Sequence, residues 1–413
     1  MKTILLSICL LGTLTVFGQS LKFKITGQKD TTVNLVKYFG KGLYYADTAI
    51  IKNGVVEFDG SKQDPGILAL FLPGQNILEF IYNEEDVYIE ASLPDMMGTA
   101  KVKKSAENKI FFPYVMFINS KRKEATALSK QREGHDIGSP MYESLTKRIN
   151  ETTTEVEAYQ ENIVTTYDEM FVAAVVKMSM DIKIPDAPVD DAGNIIDSNF
   201  RFLYYREHFF DNIDLQDDRL VKTPVFHNKL EMYFSNKIMV QHWDTVLYYA
   251  FNFCDRLDQK SDMFQYCVSW LTSTYEKSKI MGMDKVFVLM GDRYYCTLNE
   301  EGKSPAHWMT KDKLDALCEK VTTQKNLVMG VKPPNISLRD TTDVKWRDFY
   351  SLDADYTVLY FWDPECGHCK KITPKLQTLY EKKWRDNNVE IFAVGKAVGD
   401  DFEKWKKFIR DNN

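Results

Sequence analysis

Cys366 and Cys369 form a Cys-x-x-Cys pair within Trp362-Asp363-Pro364-Glu365-Cys366-Gly367-His368-Cys369-Lys370-Lys371. Two thiols at that spacing can exchange a disulfide with a substrate. The first attacks as a thiolate, and the second resolves the mixed disulfide so formed. Only the thiolate is reactive, so the surroundings of Cys366 matter most. The run Tyr356 to Trp362 is continuously apolar, β-branched and aromatic, which predicts a buried strand. After the pair, Ile372, Leu376, Leu379 and Tyr380 recur at helical spacing as far as Trp384. Cys366 is thereby placed at a helix N-terminus, where free N–H groups and the helix dipole stabilise negative charge. Cys369, one turn on, is expected to be the buried resolving thiol. His368 can set an imidazolium beside Cys366, and Gly367 leaves the turn open to an approaching backbone. Trp362 and Pro364 are expected to shape the rim and exclude water.

The competing readings of the pair are an inert structural disulfide and a metal site. An intact Cys-Gly-His-Cys at a helix start is the reactive arrangement, which disfavours the first. No second close Cys or His pair completes a four-ligand set, and His208, His227 and His242 are scattered singly, so neither metal nor other cofactor is expected. Lys370-Lys371 and Lys404-Trp405-Lys406-Lys407 read as solvated helix faces, with steering of acidic clients the alternative.

The compartment bears on the chemistry. Met1-Lys2 followed by the apolar run Ile4 to Gly18 has the charged start, short core and small-residue exit of a secretory signal, cut before Gln19. Cys9 lies inside the apolar core and is not expected to carry lipid. No other run is long enough to span a bilayer. Export to the periplasm or cell envelope is expected, without a stable membrane span. An oxidising compartment permits pairing among Cys254, Cys267, Cys296 and Cys318; their apolar, helical surroundings equally suit buried free thiols. A net charge of −6 and the lack of long basic runs argue against nucleic acid as partner.

At 413 residues, of which 44% are hydrophobic, the chain predicts several domains with real cores. Residues 19–103 read as all-β, a small sandwich or partly open barrel. Short apolar strands there are separated by Asn53-Gly54, Asp59-Gly60 and Pro73-Gly74. Residues 104–329 read as helical, opening with two long helices over 106–132 and 140–181. The aromatic clusters there, such as Phe209-Phe210 and Tyr248-Tyr249, are expected to be core. Gly330-Val-Lys-Pro333-Pro334 marks the last boundary. Beyond it, strands alternating with helices over 330–413 predict a parallel α/β unit, with a second strand over Val389 to Val394 and a last helix from about Asp400.

These last residues resemble the thioredoxin superfamily, in its exported thiol-disulfide reductase branch. Pro374 stands at the family's helix-kinking proline position, and Phe361-Trp362 precedes the active-site loop as the resemblance implies. The whole chain also looks like Bacteroidetes-type envelope proteins, in which a β-rich domain and a helical domain of unknown function precede a thioredoxin module. Tyr205-Arg-Glu-His-Phe-Phe-Asp-Asn212 and Lys222-Thr-Pro-Val-Phe-His-Asn-Lys229 carry the helical part of that likeness. There are departures. The family's buried acid corresponds to Tyr360, and a glutamate common among exported reductases corresponds to Ile372. The resemblance also implies a further hairpin with a cis-proline facing the cysteines, so the module as written is expected to be incomplete.

Two functions follow as expectations. One is exchange of disulfides with envelope protein clients through Cys366 and Cys369, served by an unidentified electron-donor or acceptor protein. The other is a non-catalytic envelope binding or scaffold protein that retains a vestigial or truncated module.

Overall fold

The computed structural model describes residues 18–396 and 401–412. The predicted signal segment, apart from Gly18, lies outside the described residues, as does Cys9. The chain divides into two compact units, one running to Lys325 and the other beginning at Asn326.

The first unit opens with two four-stranded sheets. One has the order β4 (Val55–Asp59), β1 (Ser20–Thr26), β7 (Val87–Ser92), β8 (Lys101–Lys104). The other has the order β3 (Gly42–Ile51), β2 (Thr31–Phe39), β5 (Gly66–Leu72), β6 (Asn76–Tyr82). Pairing is antiparallel except between β1 and β7, where Phe23 faces Ile89 in parallel register. Alternation in β1 puts Leu21, Phe23 and Ile25 fully inside, where Phe23 meets Phe80 of β6 at 5.0 Å between ring centroids.

A short helix α1 (Met96–Thr99) precedes α2 (Ala106–Arg132), which matches the predicted span. Buried Asn108 ties the start of α2 to the sheet: its Oδ1 accepts the Ile81 N–H at 2.8 Å and its Nδ2 donates to the Ile81 carbonyl at 2.6 Å. The second long helix is not one element. It divides into α3 (Pro140–Thr166) and α4 (Phe171–Ser179). The break is held by Glu107, whose buried carboxylate accepts the N–H groups of Phe171 at 3.0 Å and Val172 at 2.8 Å. A carboxylate from α2 thus caps α4, a pairing that no local pattern in the sequence encodes.

Shorter helices complete this unit: α5 (Phe200–His208), α6 (Pro224–Phe234), α7 (Trp243–Cys254), α8 (Asp262–Glu276), α9 (Asp284–Gly291) and α10 (Lys311–Lys325). Their aromatics are largely core, with Phe209, Phe210, Phe226 and Phe264 buried, although Tyr248 is exposed. The β-rich and helical segments share one hydrophobic cluster, from Leu21 on β1 to Tyr294 and Ala306 near α10. Cys296 and Cys318 form a disulfide with Cα atoms 5.5 Å apart, whereas Cys254 and Cys267 are buried free thiols.

The second unit begins with a small antiparallel pair, β9 (Ser337–Arg339) and β10 (Trp346–Asp348). Then come β11 (Tyr356–Trp362), α11 (Gly367–Leu379), β12 (Val389–Gly395) and α12 (Asp401–Asn412). β11 and β12 are parallel, with Trp362 opposite Gly395. Among the described residues β11 pairs only with β12.

Candidate functional site

The site grows out of the β11-to-α11 junction. Asp363 turns the chain: its Oδ1 accepts the Glu365 N–H at 2.8 Å and its carbonyl accepts the Cys366 N–H at 3.1 Å. Cys366 is the N-cap residue of α11, in extended conformation, so its sulfur lies where the first helical N–H groups have no intrahelical partner. Cys366 makes no side-chain capping hydrogen bond, but the nearby Cys369 N–H and thiol and the His368 N–H lower its pKa, against desolvation and the carboxylate of Asp363, which raise it. In this geometry His368 acts on Cys366 through its backbone rather than its ring. Gly367 is open, since a Cβ there would meet nothing within 4 Å.

Three expectations change. Cys369 is half-exposed like Cys366, not buried, because no residue of α11 is buried among the described elements. Trp362, expected at the rim, lies inside at 8% exposure and packs on Phe408 of α12 with centroids 5.0 Å apart. It supports the loop from beneath. Pro364 is buried next to it, while Phe361 takes the exposed position.

Pro374 lies inside α11, exposed, and the helix continues past it to Leu379. Ile372 is exposed as well. Tyr360, at the position of the family's acid, bonds Thr373 Oγ1 at 2.9 Å, and Thr373 donates to the Cys369 carbonyl at 2.8 Å. Two hydroxyls therefore stand below Cys369 where a carboxylate was sought. Tyr360, Trp362 and Thr373 line a cavity of about 1150 Å³ that Phe402, Trp405 and Phe408 of α12 close from the other side. Gly395 admits the α12 indole: a Cβ there would lie 2.0 Å from Trp405 Nε1.

The charged residues around this loop were not identified from sequence as part of the site. Lys396, directly after β12, is 3.5 Å from Asp363 and 3.4 Å from Asp401. Lys404 is 3.0 Å from Glu365 and 3.6 Å from Asp401. The one sequence signal was the lysine-rich start of α12, read as a solvated face. Among the described residues no group of three or more His, Cys, Asp or Glu side chains could hold a metal ion, and no helix is long and apolar enough to cross a membrane.

Two family models match parts of the chain. Residues 353–413 match a thioredoxin-like family model, and residues 20–111 match a domain of unknown function, DUF4369. No curated protein matches the chain. Among solved structures, the chain is similar to a thioredoxin-like protein from Bacteroides caccae at 12% identity and a TM-score of 0.26, over 57% of this chain and 80% of that one.

Proposed function

We propose that this chain, whose C-terminal module is thioredoxin-like, is an exported thiol-disulfide oxidoreductase acting on protein clients in the cell envelope. The observation that carries the reading is Cys366 as the N-cap residue of α11, where the N–H groups of Cys369 and His368 and the second thiol of the pair lower its pKa.

The exchange follows from that geometry. The Cys366 thiolate attacks one sulfur of a client disulfide, forming a Cys366–client bond as the client S–S bond breaks and one client thiolate leaves. Cys369 gives up its proton and attacks Cys366 Sγ, which forms the Cys366–Cys369 disulfide and expels the second client thiolate. Two electrons have then passed from the pair to the client, and the client thiolates take up protons. The reverse sequence oxidises a client. The partner that reloads the pair, a dithiol or disulfide protein, sets the direction. Exposed Phe361 and Ile372 beside the cysteines favour a client of protein size.

Envelope localisation is supported by the apolar Ile4 to Gly18 segment and is compatible with the Cys296–Cys318 disulfide. Cys366→Ser is expected to abolish reduction of a disulfide-bonded test protein. Cys369→Ser should accumulate the Cys366–client mixed disulfide, read by intact mass. Residual turnover in Cys366→Ser would overturn the mechanism and leave the scaffold function in its place.

A further inference from the structure

Four ion pairs beside the cysteines link five residues in one chain, whose two ends belong to the same loop. From Asp363 they run through Lys396, Asp401 and Lys404 to Glu365. Asp363 and Glu365 both belong to the loop that delivers Cys366, Lys396 follows β12, and Asp401 and Lys404 lie on the first turn of α12. Lys396 is anchored independently of its charge, since its backbone N–H donates to the Trp362 carbonyl at 2.9 Å. Isolated surface pairs contribute little, but a network of alternating sign on fixed backbone is the exception. Two of the acids are the more sheltered members, with side-chain exposures of 32% for Asp363 and 20% for Asp401.

The charges give this chain of ion pairs a chemical consequence. Asp363 is the carboxylate that opposes negative charge on Cys366. Lys396, 3.5 Å from Asp363, offsets that charge. Among the described residues, His368, Cys369 and Lys370 at the start of α11 are further charged or titratable groups following the loop, and Glu365 is held by Lys404.

We propose that Lys396 and Lys404 are positioning residues for disulfide exchange. They hold Asp363 and Glu365 at the two ends of a chain of alternating charge that fixes the loop before Cys366 and neutralises the carboxylate of Asp363. The proposal rests on the oxidoreductase reading and deepens it, because it assigns the tuning of the nucleophile to residues outside the Cys-x-x-Cys motif.

The test is the pH profile of Cys366 alkylation in the full chain, resolved by peptide mass. Lys396→Met leaves Asp363 uncompensated and should move the midpoint up by about half a pH unit, the order expected for one nearby charge in water-like dielectric. Asp363→Asn keeps an oxygen to accept the Glu365 N–H and should move it down by a similar amount. The double variant should return close to wild type, and Lys396→Arg should not move it at all. Salt near 1 M should shrink both single-variant shifts. Unchanged midpoints in Lys396→Met and Asp363→Asn, or shifts in the same direction, would overturn the proposal. A purely structural role predicts no opposite signs. If wild-type Cys366 reacts no faster than Cys369, the oxidoreductase reading fails instead.

Discussion

At Cys366 the balance is set by a few neighbours: two N–H groups and a thiol favour the thiolate, and desolvation and one carboxylate oppose it. The strand and the helix start were legible in the sequence because they depend on local periodicity and spacing, but the expected burial of the strand is not met, since only Trp362 of β11 is buried among the described residues. The exposure of Cys369 was not legible either, since burial depends on what packs over α11. A second titratable residue has consequences of its own. His227 is buried in the first unit, its Nδ1 2.8 Å from the Tyr266 hydroxyl, which also accepts the Lys41 N–H at 3.0 Å. A neutral ring accepting from Tyr266 carries its proton on Nε2, which is buried without a partner, the carboxylate of Glu231 lying 3.9 Å away. Burial lowers the His227 pKa, and Lys41 adds to this while Glu231 opposes it. The unfolded chain then binds the proton more readily than the folded one. Stability should fall as pH drops through the ordinary histidine value of about 6.5 and level off below the folded pKa. Denaturant melts between pH 7.5 and 5 should show this slope, and it should flatten in His227→Gln.

Between elements, the ends of helices are where distant residues decide. The span of α2 was readable from periodicity and the loop that follows it. The division of the next helix into α3 and α4 was not, because the cap comes from Glu107. The same carboxylate accepts the Asn83 Nδ2 donor at 2.8 Å, and Asn83 in turn accepts from Arg219 at 3.1 Å. Glu107 therefore joins the turn after β6 to the start of α4. Glu107→Ala leaves three donors without their acceptor and should cost about 2–4 kcal/mol in chemical denaturation. Glu107→Gln, which retains an acceptor oxygen, should cost less. α12 gives the complementary lesson. Its place as a last helix from about Asp400 was apparent, whereas its ion pairs to the loop before Cys366 required the β12 register that brings Gly395 opposite Trp362.

For the whole molecule, the β-rich and helical segments are distinct in sequence period yet share a core. A change of period marks a change of element type, not a gap in packing. The boundary near Asn326 was closer to legible, with Gly330 and the double proline just beyond it. Pairing among the four upstream cysteines stayed open at the level of sequence, and the fold joins Cys296 to Cys318 across a separation of 22 residues. A loop of that size implies about 3 kcal/mol of stabilisation. Cys296→Ser with Cys318→Ser should lower the stability of the first unit by that order and leave the alkylation rate of Cys366, in the second unit, unchanged.

The most direct measurement of the central claim is competitive alkylation of the reduced full chain across pH, with each cysteine followed by peptide mass. Cys366 should react first and alone at mildly acidic pH, with a midpoint below the ordinary thiol value of about 8.5. Cys369 should follow, while buried Cys254 and Cys267 stay protected. Equal rates at Cys366 and Cys369, or a Cys366 midpoint at or above the ordinary value, would contradict an activated nucleophile at the start of α11.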